Sequence, residues 1–113
     1  MAFFRASIGG GGGGVQTATG TISASASAQT ISLNFKPKKL YIYSTTAGVS
    51  AIYDEDVSTT KFLRAVTGSG SGAGVAWTNM TSTASYVIQS VTNTGFTYKG
   101  TASYSMKYVA LDS

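Results

Sequence analysis

Thr30-Ile31-Ser32-Leu33-Asn34-Phe35 alternates polar and apolar residues without a break. Successive side chains of an extended chain point to opposite faces, so Ile31, Leu33 and Phe35 share one face and the polar groups share the other. Lys39-Leu40-Tyr41-Ile42-Tyr43-Ser44 repeats the pattern with a difference. Leu40 and Ile42 oppose Tyr41 and Tyr43, which predicts a strand covered on both faces. Working outward, strands are expected at 49–53, 61–66, 75–80, 85–91, 94–99 and 103–111, all runs dominated by β-branched and aromatic residues. No segment sustains a helical period; 56–60 makes one turn at most.

Turn chemistry separates these runs. Lys36-Pro37-Lys38 divides the first two strands, and a proline that cannot donate to a ladder suits a bend there. Thr45-Thr46-Ala47-Gly48 and Thr92-Asn93-Thr94-Gly95 read as hairpin turns, the second the stronger because Asn and Gly both tolerate positive φ. About seven to nine short strands at near-regular spacing predict an all-β chain, a single antiparallel β-sandwich or jelly-roll-like domain over residues 15–113.

Ahead of that domain lies an arm, residues 1–14. Its apolar head, Met1-Ala2-Phe3-Phe4-Arg5-Ala6-Ser7-Ile8, is followed by Gly9, Gly10, Gly11, Gly12, Gly13 and Gly14. Glycine loses more backbone freedom on ordering than any other residue, so this run does not fold by itself and reads as a tether ordered by neighbours. Phe3, Phe4 and Ile8 are then the expected docking residues, the plainer alternative being an N-terminal strand of the protein's own sheet. A second glycine-rich stretch, Thr67 to Gly74, is expected as an exposed loop.

Of the 113 residues, 42% are apolar and only 11% charged, against an ordinary charged share of roughly 25%. Ser, Thr, Gly and Ala fill the difference and give a hydroxyl-rich surface suited to packing beside copies of itself. The net charge of +4 is dispersed except at Lys36, Lys38 and Lys39, a weak version of the basic stripe that nucleic-acid binders carry. There is no cysteine, hence no disulfide framework and no thiolate metal site. The head is far shorter than a signal-peptide core or a membrane span, so synthesis in the cytoplasm without export or membrane insertion is expected.

Catalysis has few groups to use. Histidine is absent, which removes the commonest general base and any Ser-His-Asp set. The carboxylates are Asp54, Glu55, Asp56 and Asp112. On one extended strand Asp54 and Asp56 would share a face roughly 6–7 Å apart, close to a glycosidase pair, but a solvated turn with ion pairs to Lys61 and Arg64 is the simpler reading. Asp54 and Asp56 are also weak candidates for a hard cation, though the six to eight oxygens of a Ca²⁺ site are not in view. The glycine run lacks the Gly-Lys-Ser/Thr ending of a phosphate loop. No cofactor is expected. Aromatic residues, 12% of the chain, are the better clue. Most should pack in the core or between subunits, while Tyr53 and Trp77, with Gly70 and Gly72 of the loop, are candidate ligand contacts.

Several segments carry a resemblance: Phe35-Lys36-Pro37-Lys38-Lys39-Leu40-Tyr41-Ile42, Tyr53-Asp54-Glu55-Asp56, Thr94-Gly95-Phe96-Thr97-Tyr98 and Tyr104-Ser105-Met106-Lys107-Tyr108-Val109-Ala110-Leu111. The chain resembles, over roughly residues 20–111, the small all-β virion proteins of tailed bacteriophages, tail-fibre, tail-tip or head-decoration modules that look like H-type lectin sandwiches. The resemblance implies a sandwich architecture and a virion setting reached by host lysis. Its partners would be other virion proteins and copies of itself, with trimers favoured. It carries over no binding residues, because the metal-binding histidines of some fibre tips have no counterpart here. Three expectations stand: a non-enzymatic virion structural protein assembling through its arm, a module binding host surface glycans, and a weak nucleic-acid binder using Lys36, Lys38 and Lys39.

Overall fold

The computed structural model describes residues 16–23, 25–44, 48–67, 74–82, 84–100 and 105–112. The arm with Phe3, Phe4, Ile8 and Gly9 to Gly14 lies outside these, as do Gly70 and Gly72. Nine strands follow one another: β1 (Thr17–Ser23), β2 (Gln29–Ser32), β3 (Lys39–Tyr43), β4 (Val49–Asp54), β5 (Lys61–Val66), β6 (Gly74–Asn79), β7 (Val87–Thr92), β8 (Gly95–Lys99) and β9 (Ser105–Leu111). They form a six-stranded sheet, order β1-β9-β3-β4-β5-β6, and a three-stranded sheet, order β2-β8-β7, with every pairing antiparallel. The fold is all-β, a sandwich of two unequal sheets.

Alternation builds the core. Leu40, Ile42, Ala51, Tyr53, Phe62, Met106 and Ala110 point inward from the large sheet and meet Val87, Ile88, Phe96 and Tyr98 from the small one. Burying each large apolar side chain contributes roughly 1.5–3 kcal/mol. Phe96 and Tyr108 bridge the sheets edge to face, centroids 5.3 Å apart and planes 72° apart, the geometry ring quadrupoles favour.

The strand expected over 30–35 stops at Ser32. The chain must cross between sheets there: Leu33 N–H donates to Thr94 O (2.7 Å), buried Phe35 packs into the core from the connection, and Lys38 N–H donates to Leu111 O (2.7 Å). Pro37, fully buried, sits in that crossover. β1 was not among the expected strands. Its inner side offers only Ala18, Gly20 and Ile22, and the end of the Tyr108 ring passes over Gly20, within 2.7 Å of where a Cβ would stand, so a larger residue there would push the ring aside.

Candidate binding face

One face of each sheet is spent on the core, and the registers determine what the other face of the large sheet displays. Thr19 pairs with Val109, Val109 with Tyr41, Tyr41 with Ile52, Ile52 with Leu63 and Leu63 with Trp77. One outward-facing row therefore crosses all six strands, and five of its members are apolar or aromatic. The next row runs Thr21, Lys107, Tyr43, Ser50, Ala65 and Val75. None of the row residues belongs to the buried core or packs against it.

The expectation that β3 is covered on both faces is corrected by this geometry. Tyr41 and Tyr43 are 36% and 38% exposed, and Trp77 is 48% exposed on the edge strand. The small sheet covers only one side of the large one, so among the described residues nothing covers the outer face. Antiparallel sheets ordinarily present polar residues to water on such a face. The two rows span five strand spacings of about 4.8 Å and two outward positions of about 7 Å each, roughly 300 Å², and the third outward row, Thr17, Leu111, Lys39, Asp54, Lys61 and Asn79, bounds them with charge. Apolar patches of that size on a lone protein are commonly functional.

At the β1 end the face holds a shallow cavity of about 290 Å³ beside Tyr43, lined also by Thr19, Thr21 and Lys107. The Lys107 ammonium donates to Thr21 Oγ1 (3.2 Å), which keeps the long side chain along the sheet. This end is polar with one aromatic wall; the middle and the β6 end are apolar.

Other candidate residues fall elsewhere. Tyr53 is only 2% exposed and faces inward on β4, so its ring is core and does not join Trp77 in a surface site, a correction that follows from the strand's alternation. Its phenol is raised above the ordinary 10.0, first by burial and then by Glu55 and Asp54. Asp54 and Asp56 do not share a strand face: Asp54 ends β4 and Asp56 sits in the following turn, where Val57 and Ser58 N–H both donate to Asp54 O (3.0 Å each). Nor are Lys61 and Arg64 their partners. Lys39 Nζ donates to Asp54 Oδ1 and Asp56 Oδ2, 3.2 Å each, and Asp54 Oδ1 also accepts from Asp56 N–H (3.0 Å). The two carboxylates, Asp54 first, raise the Lys39 ammonium above its ordinary 10.5. Arg64 Nε donates to Ser85 O (3.0 Å), next to Tyr86, which holds a left-handed φ of 62°. Among the described residues no three acidic groups converge as a metal site would require.

The chain matches no family model, no curated protein and no solved structure. The outer face therefore rests on its own geometry. The signal that could have found it was present in β3, where aromatic residues oppose aliphatic ones; the cross-strand rows needed the registers.

Proposed function

We propose that this chain is a non-enzymatic structural protein that works in a multi-copy assembly, the outer face of its six-stranded sheet being buried against a second copy. The observation that carries the reading is the apolar row Val109–Tyr41–Ile52–Leu63–Trp77, laid across solvent-facing positions of the large sheet. Charge depletion supports a subunit interface, since interface cores lack Lys and Glu and favour Tyr and Trp. The low charged fraction of the whole chain supports it too. A surface component of a phage particle, fibre or decoration, is the setting that the sequence resemblance favours.

A second reading has its own observation: exposed Tyr43 and Trp77, with the cavity at Tyr43, offer stacking surfaces and hydroxyl partners to a host surface glycan. A nucleic-acid role loses ground because Lys39, one of the three lysines of the basic cluster, already serves two carboxylates. Two variants separate the first two readings. Ile52→Lys places an ammonium mid-row and should break the outer-face contact, as read by sedimentation, while Tyr43→Ser, at the polar end of the face, should weaken it far less. If Ile52→Lys assembles normally and Tyr43→Ser abolishes retention on immobilised glycans, the glycan reading replaces the structural one.

A further inference from the structure

The apolar rows end on β6, and β6 differs from every other sheet edge in this protein. Exposed edges present unpaired backbone N–H and C=O groups, and proteins normally protect them with charge, proline, bulges or brevity. Three edges here are protected. β7 carries a bulge between Ile88 and Ser90, and β2 has only four residues. β1 lies beside Lys107, and its entry is clamped where Gln16 N–H and Nε2 donate to the Asp112 carboxylate (2.8 and 3.2 Å).

Gly74-Val75-Ala76-Trp77-Thr78-Asn79 has neither a charge nor a proline, and its register with β5 runs unbroken over all six residues. It also overhangs the sandwich. β7, the last strand of the small sheet on that side, packs against β4, so β6 lies two strands beyond it. All of its residues but Thr78 are exposed, on both faces, with Val75 at 69%.

We infer that β6 pairs antiparallel with β6 of a second copy about a two-fold axis at Ala76, joining two six-stranded sheets into one. This rests on the reading that the chain works in a multi-copy assembly, and it adds to the outer-face contact a second one, edge to edge. The register follows from side-chain faces. In an antiparallel pair opposite residues share a face, so a two-fold axis normal to the sheet must pass through a residue facing itself. Centring it on Ala76 sets a small side chain against its own copy and places Val75 opposite Trp77 of the second copy, an aromatic–β-branched pair of the kind that stabilises sheets. The Leu63–Trp77 row then runs on into Val75 and Ala65 of the second copy. The joined outer face doubles to roughly 600 Å², so that against another such pair it reaches the lower end of the roughly 600–1,000 Å² per partner of a stable interface.

Single-cysteine variants test the register, since the chain has no cysteine of its own. At Ala76 the two Cβ atoms would lie about 5 Å apart, within reach of a disulfide, whereas at Asn79 they would be about 20 Å apart. Both positions are exposed on the same strand. Under mild oxidation Ala76→Cys should form covalent dimer at least about tenfold faster than Asn79→Cys, because only the former pair meets disulfide geometry. Ala76→Lys, which adds edge charge without a backbone change, should lower the two-copy species in sedimentation while leaving the melting temperature of dilute protein unchanged. Equal cross-linking rates at the two positions, or none at Ala76, would overturn the edge pairing. A wild-type chain that still sediments as several copies would then show that the assembly reading survives without it. Cross-linking at Ala76 alongside unchanged assembly of Ile52→Lys would keep the edge and remove the outer-face reading.

Discussion

Gly95→Ala probes the point where the two-residue hairpin loop between β7 and β8 meets β2. Gly95 is buried with φ +150°, and a Cβ there would stand 2.0 Å from Ile31 O and 3.2 Å from Leu33 N. Carbon and carbonyl oxygen do not normally approach within about 3.3 Å, so the β2 backbone must retreat by more than about 1 Å. That movement breaks the Ser32–Gly95 pairing and the Leu33 N–H to Thr94 O bond (2.7 Å). Backbone strain of about 1–3 kcal/mol and about 0.5–1.5 kcal/mol for a lost hydrogen bond give a loss of about 1.5–4.5 kcal/mol. With an unfolding entropy of about 0.24 kcal/mol/K for a chain of this length, the melting temperature should fall by about 6–19 °C. Gly74→Ala is the control: its φ of +124° is equally unfavourable for alanine, but nothing lies within 4 Å of the added Cβ. It should cost strain alone, about 1–3 kcal/mol and about 4–12 °C. Melting both variants by circular dichroism at neutral pH decides the matter. A Gly95→Ala midpoint within about 2 °C of wild type would refute the close contact of β2 with this loop.

The remaining predictions concern ionisable groups. Tyr98 is 1% exposed and its hydroxyl is buried without a hydrogen-bond partner, so Tyr98→Phe should be neutral or stabilising by up to about 1 kcal/mol in urea unfolding. Burial, reinforced by Tyr86 and opposed by Arg64, raises the Tyr98 phenol far above 10.0. Its contribution is therefore complete below about pH 10 and lost as pH rises toward the folded value; Tyr98→Phe should flatten the alkaline fall in stability, with the part due to Tyr53 remaining. Lys39→Met keeps the stem and removes the ammonium from two partly solvated carboxylates, a loss of roughly 1 kcal/mol at neutral pH. Because folding raises the Lys39 pKa, that difference should be full below about pH 10.5 and vanish as pH climbs through the folded value.

How far the fold was legible varied with contrast between the two faces of each strand. β5 was expected at 61–66 and forms Lys61–Val66 although its faces contrast little, Arg64 lying beside Phe62 and Val66, because apolar residues dominate the run. β1 offers threonine on one side and only Ala18, Gly20 and Ile22 on the other, and the ring that covers Gly20, Tyr108, lies far along the chain. Asp54 and Asp56 read as spaced along a strand, yet their place was decided by Lys39 across the β3–β4 pair and by a turn that begins at Glu55. Tyr53 and Trp77 looked alike as exposed aromatics. Their opposite fates follow from strand parity and from which strand lies at the edge. The outer face was half visible: the tyrosines of β3 announced a second non-polar side, but its continuation through Val109, Ile52 and Leu63 depends on β9 inserting between β1 and β3.

The central claim, that this outer face is buried between copies, is tested most directly by sedimentation velocity over a concentration series on the full chain and on Ile52→Lys. The wild-type chain should shift from a single-chain mass of 11.6 kDa to multiples beyond two copies, and Ile52→Lys should stop at the two-copy mass joined through β6, with its fold intact. Indistinguishable profiles for the two proteins, whether both assemble or both remain single chains, would contradict it.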